Sequence, residues 1–171
     1  MNTFNLFRKN ILMDFEIKSI SFEEILPIWK NFLWPERTSV IENVSCIDQW
    51  GKIDVGIRQF KSEFYGCYFA EKIAGVISCH AISSEVMRIR GIYVFESYRN
   101  NRIGSRLISR VKTTTFEQNY KKIFGLVRAN NETYFKNAGF VSYGRIGSFE
   151  YGPHILMELS HSEPQKHPEG A

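Results

Sequence analysis

The sequence predicts an α/β fold in which helices flank one mixed central sheet. Three observations lead there. Hydrophobic periodicity switches between strand and helix in the order β-α-(α)-β-β-β-α-β-α-β-β, the pattern of a layered mixed domain. The 171 residues, 43% hydrophobic and 23% charged, suit one core in an ordinary globule. No internal repeat or linker-like stretch divides residues 15–160, which read as a single domain.

Residues 15–20 alternate weakly and form the first predicted strand. Ser21-Phe22-Glu23-Glu24 has the capping-box pattern: the Ser21 hydroxyl takes the Glu24 amide and the Glu24 carboxylate reaches back. Phe22, Ile25, Leu26, Trp29, Phe32 and Leu33 follow at helical spacing. Pro27 removes a helical hydrogen bond, so the helix bends there or starts later. From 34 to 60 no period dominates beyond a short helix around 47–58; long irregular stretches in compact domains are often functional. Strands at 64–70 and 73–82 flank the turn Glu71-Lys72 as a hairpin, and a strand at 87–94 follows Ser83-Ser84-Glu85. A helix over 103–119 carries the stripe Ile103, Leu107, Ile108, Val111, Thr115. Then come a strand at 122–127, a short helix at 131–137 capped by Gly139, and strands at 140–146 and 154–159.

Residues 1–14 read as an N-terminal arm, or as an extension upstream of a start at Met13. They lack the apolar core and small-residue cleavage site of a secretory signal. Residues 161–171, polar with two prolines, read as a disordered tail. No apolar run approaches the ~18–20 residues of a membrane helix. Cys46, Cys67 and Cys79 are odd in number and lack C-x-x-C spacing. They suggest neither a disulfide framework nor a metal site, and fit a reduced, cytoplasmic protein.

The net charge of +4 is unevenly spread. Residues 88–128 hold ten Lys or Arg and two acids, a local +8, and the remainder is −4. That stretch is built for an anion, either a polyphosphate cofactor or a nucleic acid. Within it, the apolar run Ile92-Tyr93-Val94 delivers the chain to the turn Arg99-Asn100-Asn101-Arg102-Ile103-Gly104 and then to a helix. The first amides of that helix have no intrahelical partner and sit at the positive end of its dipole, a ready phosphate site. Arg99 and Arg102 add fixed charge, and Gly104 lets a ligand approach the backbone.

The run from Tyr93 through Arg99-Asn100-Asn101-Arg102-Ile103-Gly104-Ser105 to Ile108 resembles the cofactor motif of the GNAT superfamily of N-acyltransferases. A second patch, Asn130 with Tyr134-Phe135-Lys136-Asn137-Ala138-Gly139-Phe140, resembles the family's later segment, an Asn and an aromatic-rich helix ending in Gly-Phe. The resemblance covers about residues 15–160 and implies a mostly antiparallel sheet that splays at the cofactor site. It implies acetyl-CoA, or another short acyl-CoA, as cofactor, and acyl transfer to a primary amine by direct attack on the thioester. It further implies that the backbone of Ile92, Tyr93 and Val94 holds the pantetheine arm, with the Val94 amide as oxyanion donor. Arg99, Asn100, Asn101, Arg102, Ile103, Gly104 and Ser105 would hold the pyrophosphate, and Asn130 and Phe135 would border the arm.

Two positions depart from the family pattern. Arg102 stands where the motif usually has its first Gly; a left-handed backbone there costs a non-Gly residue about 1–2 kcal/mol, and the simpler alternative is that the position is not left-handed. Phe135 stands where the family commonly has a Tyr as general acid. Tyr134 is the adjacent candidate, displaced by about 100° on a helix. His80 and Glu85 are the candidate bases for the amine. Acids in the 34–60 region, among them Glu36, Glu42, Asp48 and Asp54, suggest a cationic acceptor such as a polyamine, an aminoglycoside or a protein amine. A catalytically silent acyl-CoA sensor, an enzyme acting on aminoacyl-tRNA, and a nucleic-acid-binding module are the alternatives. A homodimer is compatible with the family pattern. No Gly-Lys-Ser/Thr follows the turn, which argues against a P-loop.

Overall fold

The computed structural model describes residues 14–149 and 152–161; residues 1–13 of the arm predicted over 1–14, and residues 162–171 of the tail predicted over 161–171, lie outside them. The strands are β1 (Phe15–Ile20), β2 (Ser62–Phe69), β3 (Lys72–Ala81), β4 (Val86–Val94), β5 (Lys122–Arg128), β6 (Val141–Phe149) and β7 (Gly152–Ser160). They form one sheet in the order β1-β2-β3-β4-β5-β7-β6. Every neighbouring pair is antiparallel except β4 with β5. The mixed, mostly antiparallel sheet is the predicted one.

Helix α1 (Phe22–Ile28) starts at the Ser21–Glu24 capping box, with both reciprocal bonds made. It lays Ile25, Ile28 and then Trp29 on one face of the sheet, against Phe64 and Val76. Pro27 neither stops the helix nor delays it. Instead the turn widens over Trp29–Leu33 into a π-helical turn, in which the Trp34 amide donates to the Trp29 carbonyl at 2.7 Å. Pro27 itself lacks only the amide that would have paired with the Glu23 carbonyl one turn earlier.

Helix α2 (Ile103–Glu117) covers the opposite face with Ile103, Leu107, Ile108 and Val111, packed on Ile77, Cys79, Ile89 and Ile123. Helix α3 (Glu132–Asn137) joins the same core through Phe135, next to Phe140. The Lys112 ammonium donates to the Ala138 carbonyl at 3.1 Å and ties α2 to the end of α3. Gly139 takes the left-handed conformation expected of a helix cap (φ +95°). Among the described residues no helix is long and apolar enough to cross a membrane.

The helix expected at 47–58 is not formed. Its second half is a 3-10 turn, Val55–Gln59, and an isolated bridge pairs Ile47 with Ile53. The Asp48 carboxylate accepts the amides of Trp50 (2.8 Å) and Lys52 (2.9 Å), and Gly51 is left-handed. A side chain that captures nearby amides offers the backbone an alternative to a helix.

Strand β4 carries the feature that shapes the rest. Opposite β3 its register shifts, from Val76↔Tyr93 to Ser78↔Arg90, so β4 holds one extra residue at Gly91 and Ile92. Gly91 is left-handed (φ +64°), and its carbonyl accepts the Trp29 indole N–H at 2.8 Å. This bulge bends the strand. On its other side β4 pairs with β5 only from Val86 to Arg88 and then parts from it. The predicted splay is therefore present, and the bulge lies within it.

Gly91→Ala is expected to destabilise the fold by about 2–4 kcal/mol, the sum of backbone strain and overpacking. The added Cβ would collide with the Trp29 indole. Denaturant melts of the two proteins measure the difference.

Candidate active site

Two cavities meet where β4 and β5 part. The first, a cleft of about 790 Å³, runs from the parted strands to the start of α2. Ile92, Tyr93 and Val94 line it, with Arg99, Asn100, Arg102, Ile103, Gly104 and Ser105 along the turn and Asn130, Tyr134 and Phe135 opposite. The turn is shaped by two left-handed residues, Asn100 (φ +64°) and Arg102 (φ +59°). Arg102 thus keeps the glycine-like conformation, and the simpler alternative is overturned. Its strain is set by the need to turn the chain into α2.

Arg102 caps α2 without any side-chain hydrogen bond, and no acid sits in the first turn. The leading amides of α2 therefore keep their donors and the helix dipole is uncompensated. Asn101 does not line the cleft; its amide braces the turn through the carbonyls of Tyr98 (3.1 Å) and Arg99 (3.2 Å). The Arg99 guanidinium reaches back to the Val94 carbonyl at 3.2 Å.

Tyr134 leans over Gly104, where a Cβ would strike its hydroxyl. That hydroxyl bonds Ser105, and burial holds its pKa above the ordinary phenol value. Phe135 is buried and borders both cavities.

The second cavity, about 380 Å³, lies between the parted strands on the α1 side. Arg88, Arg90, Gly91 and Ile92 of β4 form one wall, Gly125, Leu126, Val127 and Arg128 of β5 the other. Arg37, Ser45 and Ile47 cover it, and His154 enters from β7. Leu33, Ile92, Arg128, Asn131 and Phe135 border both cavities, so they communicate there. The Arg128 guanidinium donates to the Leu33 carbonyl at 2.9 Å.

The two bases suggested by sequence lie elsewhere. His80 is buried and borders neither cavity. Its Nε2 accepts the Ser45 amide at 3.2 Å and its Nδ1–H donates to the Ala81 carbonyl at 3.1 Å. Burial, with Arg88 nearby, pushes its pKa down to about 3, so it stays neutral and anchors the segment around Ser45. Glu85 is an exposed partner of Lys121 in the turn before β4, nine residues and roughly 30 Å of strand from Val94. The acids expected to receive a cation are committed too. Glu42 pairs with Arg58 at 3.1 Å, Asp48 holds two amides, and Asp54 caps Gly56. None of them, nor Glu36, borders either cavity. The carboxylates of Asp48 and Asp54 serve the loop's own turns.

The sequence pattern of the acetyltransferase (GNAT) family matches residues 23–140, which include both motifs and the parted strands. The chain belongs to the GNAT acetyltransferase family. No curated protein matches the sequence. Solved structures resemble this GNAT domain in fold. Arabidopsis thaliana Naa50, in complex with a bisubstrate analogue of CoA and a peptide, is 20% identical over 86% of this chain and 99% of its own, with a TM-score of 0.64. A GNAT family acetyltransferase from Elizabethkingia anophelis with acetyl-CoA bound is 17% identical over 86% and 98%, with a TM-score of 0.58. An aminoglycoside 6'-N-acetyltransferase complexed with coenzyme A is 13% identical over 87% and 99%, with a TM-score of 0.66.

His154, Arg37, Arg88 and Arg90 belong to no motif, and only the excess charge of residues 88–128 hints at the last two. His154 is half-buried, and its Nδ1–H donates to the Gly152 carbonyl at 2.9 Å. Burial, helped by Arg128 and Arg88, holds its pKa below the ordinary histidine value despite that bond.

His80 also links stability to pH. Its folded pKa of about 3 lies below the unfolded value of 6.5, so protonation favours the unfolded chain. The contribution is complete above pH 6.5 and lost as pH falls toward 3. In melts across that window, wild type should lose up to about 1.4 kcal/mol per pH unit more than His80→Gln.

Proposed function

We propose that this GNAT domain transfers an acetyl or other short acyl group from acyl-CoA to a primary amine by direct attack on the thioester. The supporting observation is the meeting of two cavities at the break between β4 and β5, with the bare start of α2 at the far end of one. The α2 cleft suits acyl-CoA on three grounds. The leading α2 amides lack a cap, Gly104 leaves room that a Cβ would fill, and Arg99 and Arg102 supply charge for a pyrophosphate. Parted strands leave β4 backbone groups available to an extended pantetheine arm along Ile92, Tyr93 and Val94. Coenzyme A bound to two relatives of this fold supports the same assignment.

Acyl-CoA supplies a thioester carbonyl open to amines and a thiol of pKa near ~8.5, a competent leaving group without a strong acid. The amine enters from the arginine cavity and its lone pair forms the new C–N bond as the C–S bond breaks. Phe135 at the junction has no proton to give and forms an apolar wall of the reacting centre. We assign the amine's proton to His154, which its surroundings keep neutral at pH 7; the thiolate takes a proton from solvent. Tyr134, with its hydroxyl over Gly104 and on Ser105, is assigned to the phosphate end of the cofactor rather than to the leaving sulfur.

Wild type should bind acetyl-CoA by calorimetry and release thiol with an amine acceptor. Gly104→Val should weaken acetyl-CoA about tenfold or more, 1.4 kcal/mol. The buried, protonless Phe135 favours one other reading, a silent acyl-CoA sensor; binding without thiol release from any amine would establish it.

A lowered His154 pKa sets the direction of the pH–rate profile. The base form prevails above that pKa, so kcat should rise with pH to a plateau whose acid limb lies below pH 6.5. His154→Gln should remove this limb and lower kcat about 10²-fold. An unchanged profile rules His154 out.

A further inference from the structure

We infer that the acceptor is a small amine that carries its own acidic group, a carboxylate or a phosphate, held by Arg88 and Arg90. The inference rests on the acyl-transfer reading for the amine, and on the arginine cavity alone for the anion.

Arg88 and Arg90 are buried on adjacent same-face positions of β4, and both wall the cavity. Among the described residues neither forms an ion pair. Their partners are neutral. Arg88 Nη1 donates to the Ser45 hydroxyl (2.8 Å) and the Ile47 carbonyl (2.7 Å), and Arg90 Nη1 to the Glu42 carbonyl (2.8 Å). Arg88 Nε is buried with no partner. Arg90 lies over the rings of Trp29 and Trp34, at 4.9 and 5.1 Å. Two guanidinium groups bring about ten N–H donors, and these three bonds use few of them.

The electrostatics agree. Burial and neighbouring arginines push Arg88 down to about 10 and Arg90 down to about 9. Asp48 and Glu42 oppose this only from beyond contact, since Asp48 holds its own loop amides and Glu42 pairs with Arg58. Arg37 also borders the cavity; its Nε donates to the Ser39 hydroxyl at 2.8 Å, and it too has no acid in contact among the described residues. Pinning the 42–47 segment would explain the three bonds made, but not why two buried like charges face a cavity with no acid on its walls. An incoming anion satisfies the idle donors and relieves the repulsion.

Size and position narrow the class. The cavity of about 380 Å³ suits a small molecule. Arg90 and Arg88 precede Ile92, at the junction with the α2 cleft, by two and four residues. That is roughly 7 to 13 Å of strand, within the span of one small molecule. An amino acid, a short peptide or an amino-sugar phosphate can present an amine at the junction and an acid at the arginines. A polyamine or an aminoglycoside would instead bring positive charge to this wall.

The test is thiol release from acetyl-CoA by the full chain against matched acceptors: amino acids and dipeptides with their amides, an amino-sugar phosphate with its unphosphorylated parent, and spermidine. Acidic members should exceed their neutral matches by about 100-fold in kcat/KM. The amino-acid and phosphate arms identify the acid. Arg90→Gln and Arg88→Gln should raise KM for the acidic acceptor about 100-fold while calorimetric affinity for acetyl-CoA holds. Because such variants alter a buried site, wild-type melting is measured as well. At fixed ionic strength and with saturating coenzyme A occupying the α2 cleft, the N-acetylated acid or inorganic phosphate should raise Tm, and the neutral analogue should not. Spermidine or the neutral matches as the better acceptors would overturn the inference. If no amine releases thiol, the transfer reading fails separately; an anion-specific Tm shift would then still uphold the site, and its absence would remove it.

Discussion

The hydrogen bond from the Trp29 indole to the Gly91 carbonyl fixes the one irregularity on which the site depends. An extra residue in β4 would be costly without a left-handed glycine to absorb it and a partner for the carbonyl it turns out of the ladder. Trp29 is fully buried and also carries the Arg90 guanidinium on its ring. One side chain therefore locks the bulge and supports the wall beside it. β4 leaves β5 after Arg88, and both cavities follow from that parting.

Helix α1 is built to deliver that tryptophan. The capping box sets its start, Ile25 and Ile28 seat it, and the chain runs on from Pro27 into the π turn that begins at Trp29. On the opposite face α2 buries its apolar stripe and leaves its first turn uncapped at the mouth of the cleft. Stability and function divide along the same helix, because packing holds its middle while its start keeps unpaired donors. The left-handed Arg102 belongs to this division, since strain at a turn persists where the flanking strand and helix are firmly packed.

Much was legible in advance. The succession of strands and helices along the chain, the capping box, the stripe of α2 and the Gly139 cap all rest on local periodicity or turn chemistry. The 47–58 helix failed because the Asp48 carboxylate, only two residues from the amide it captures, outcompeted a weak helical pattern. The residues suggested for the α2 cleft are mostly contiguous in sequence, and all but Asn101 line it. His80 and Glu85 were suggested by residue type alone. Burial with both ring nitrogens engaged removes the first, and distance along β4 the second.

The sequence by itself determined the fold class, the family resemblance, the phosphate-type turn and the concentration of positive charge between residues 88 and 128. Those depend on residues near one another in the chain. Only the tertiary structure decided that Arg37, Arg88, Arg90 and His154 share a cavity, that the acids of the loop turn away from it, and that Arg102 is left-handed. A cavity wall gathered from β4, β5, β7 and the loop before β2 has no sequence period. Its charge becomes visible only when packing has shown which acids are already spent on partners and that, among the described residues, Arg88 and Arg90 form no ion pair.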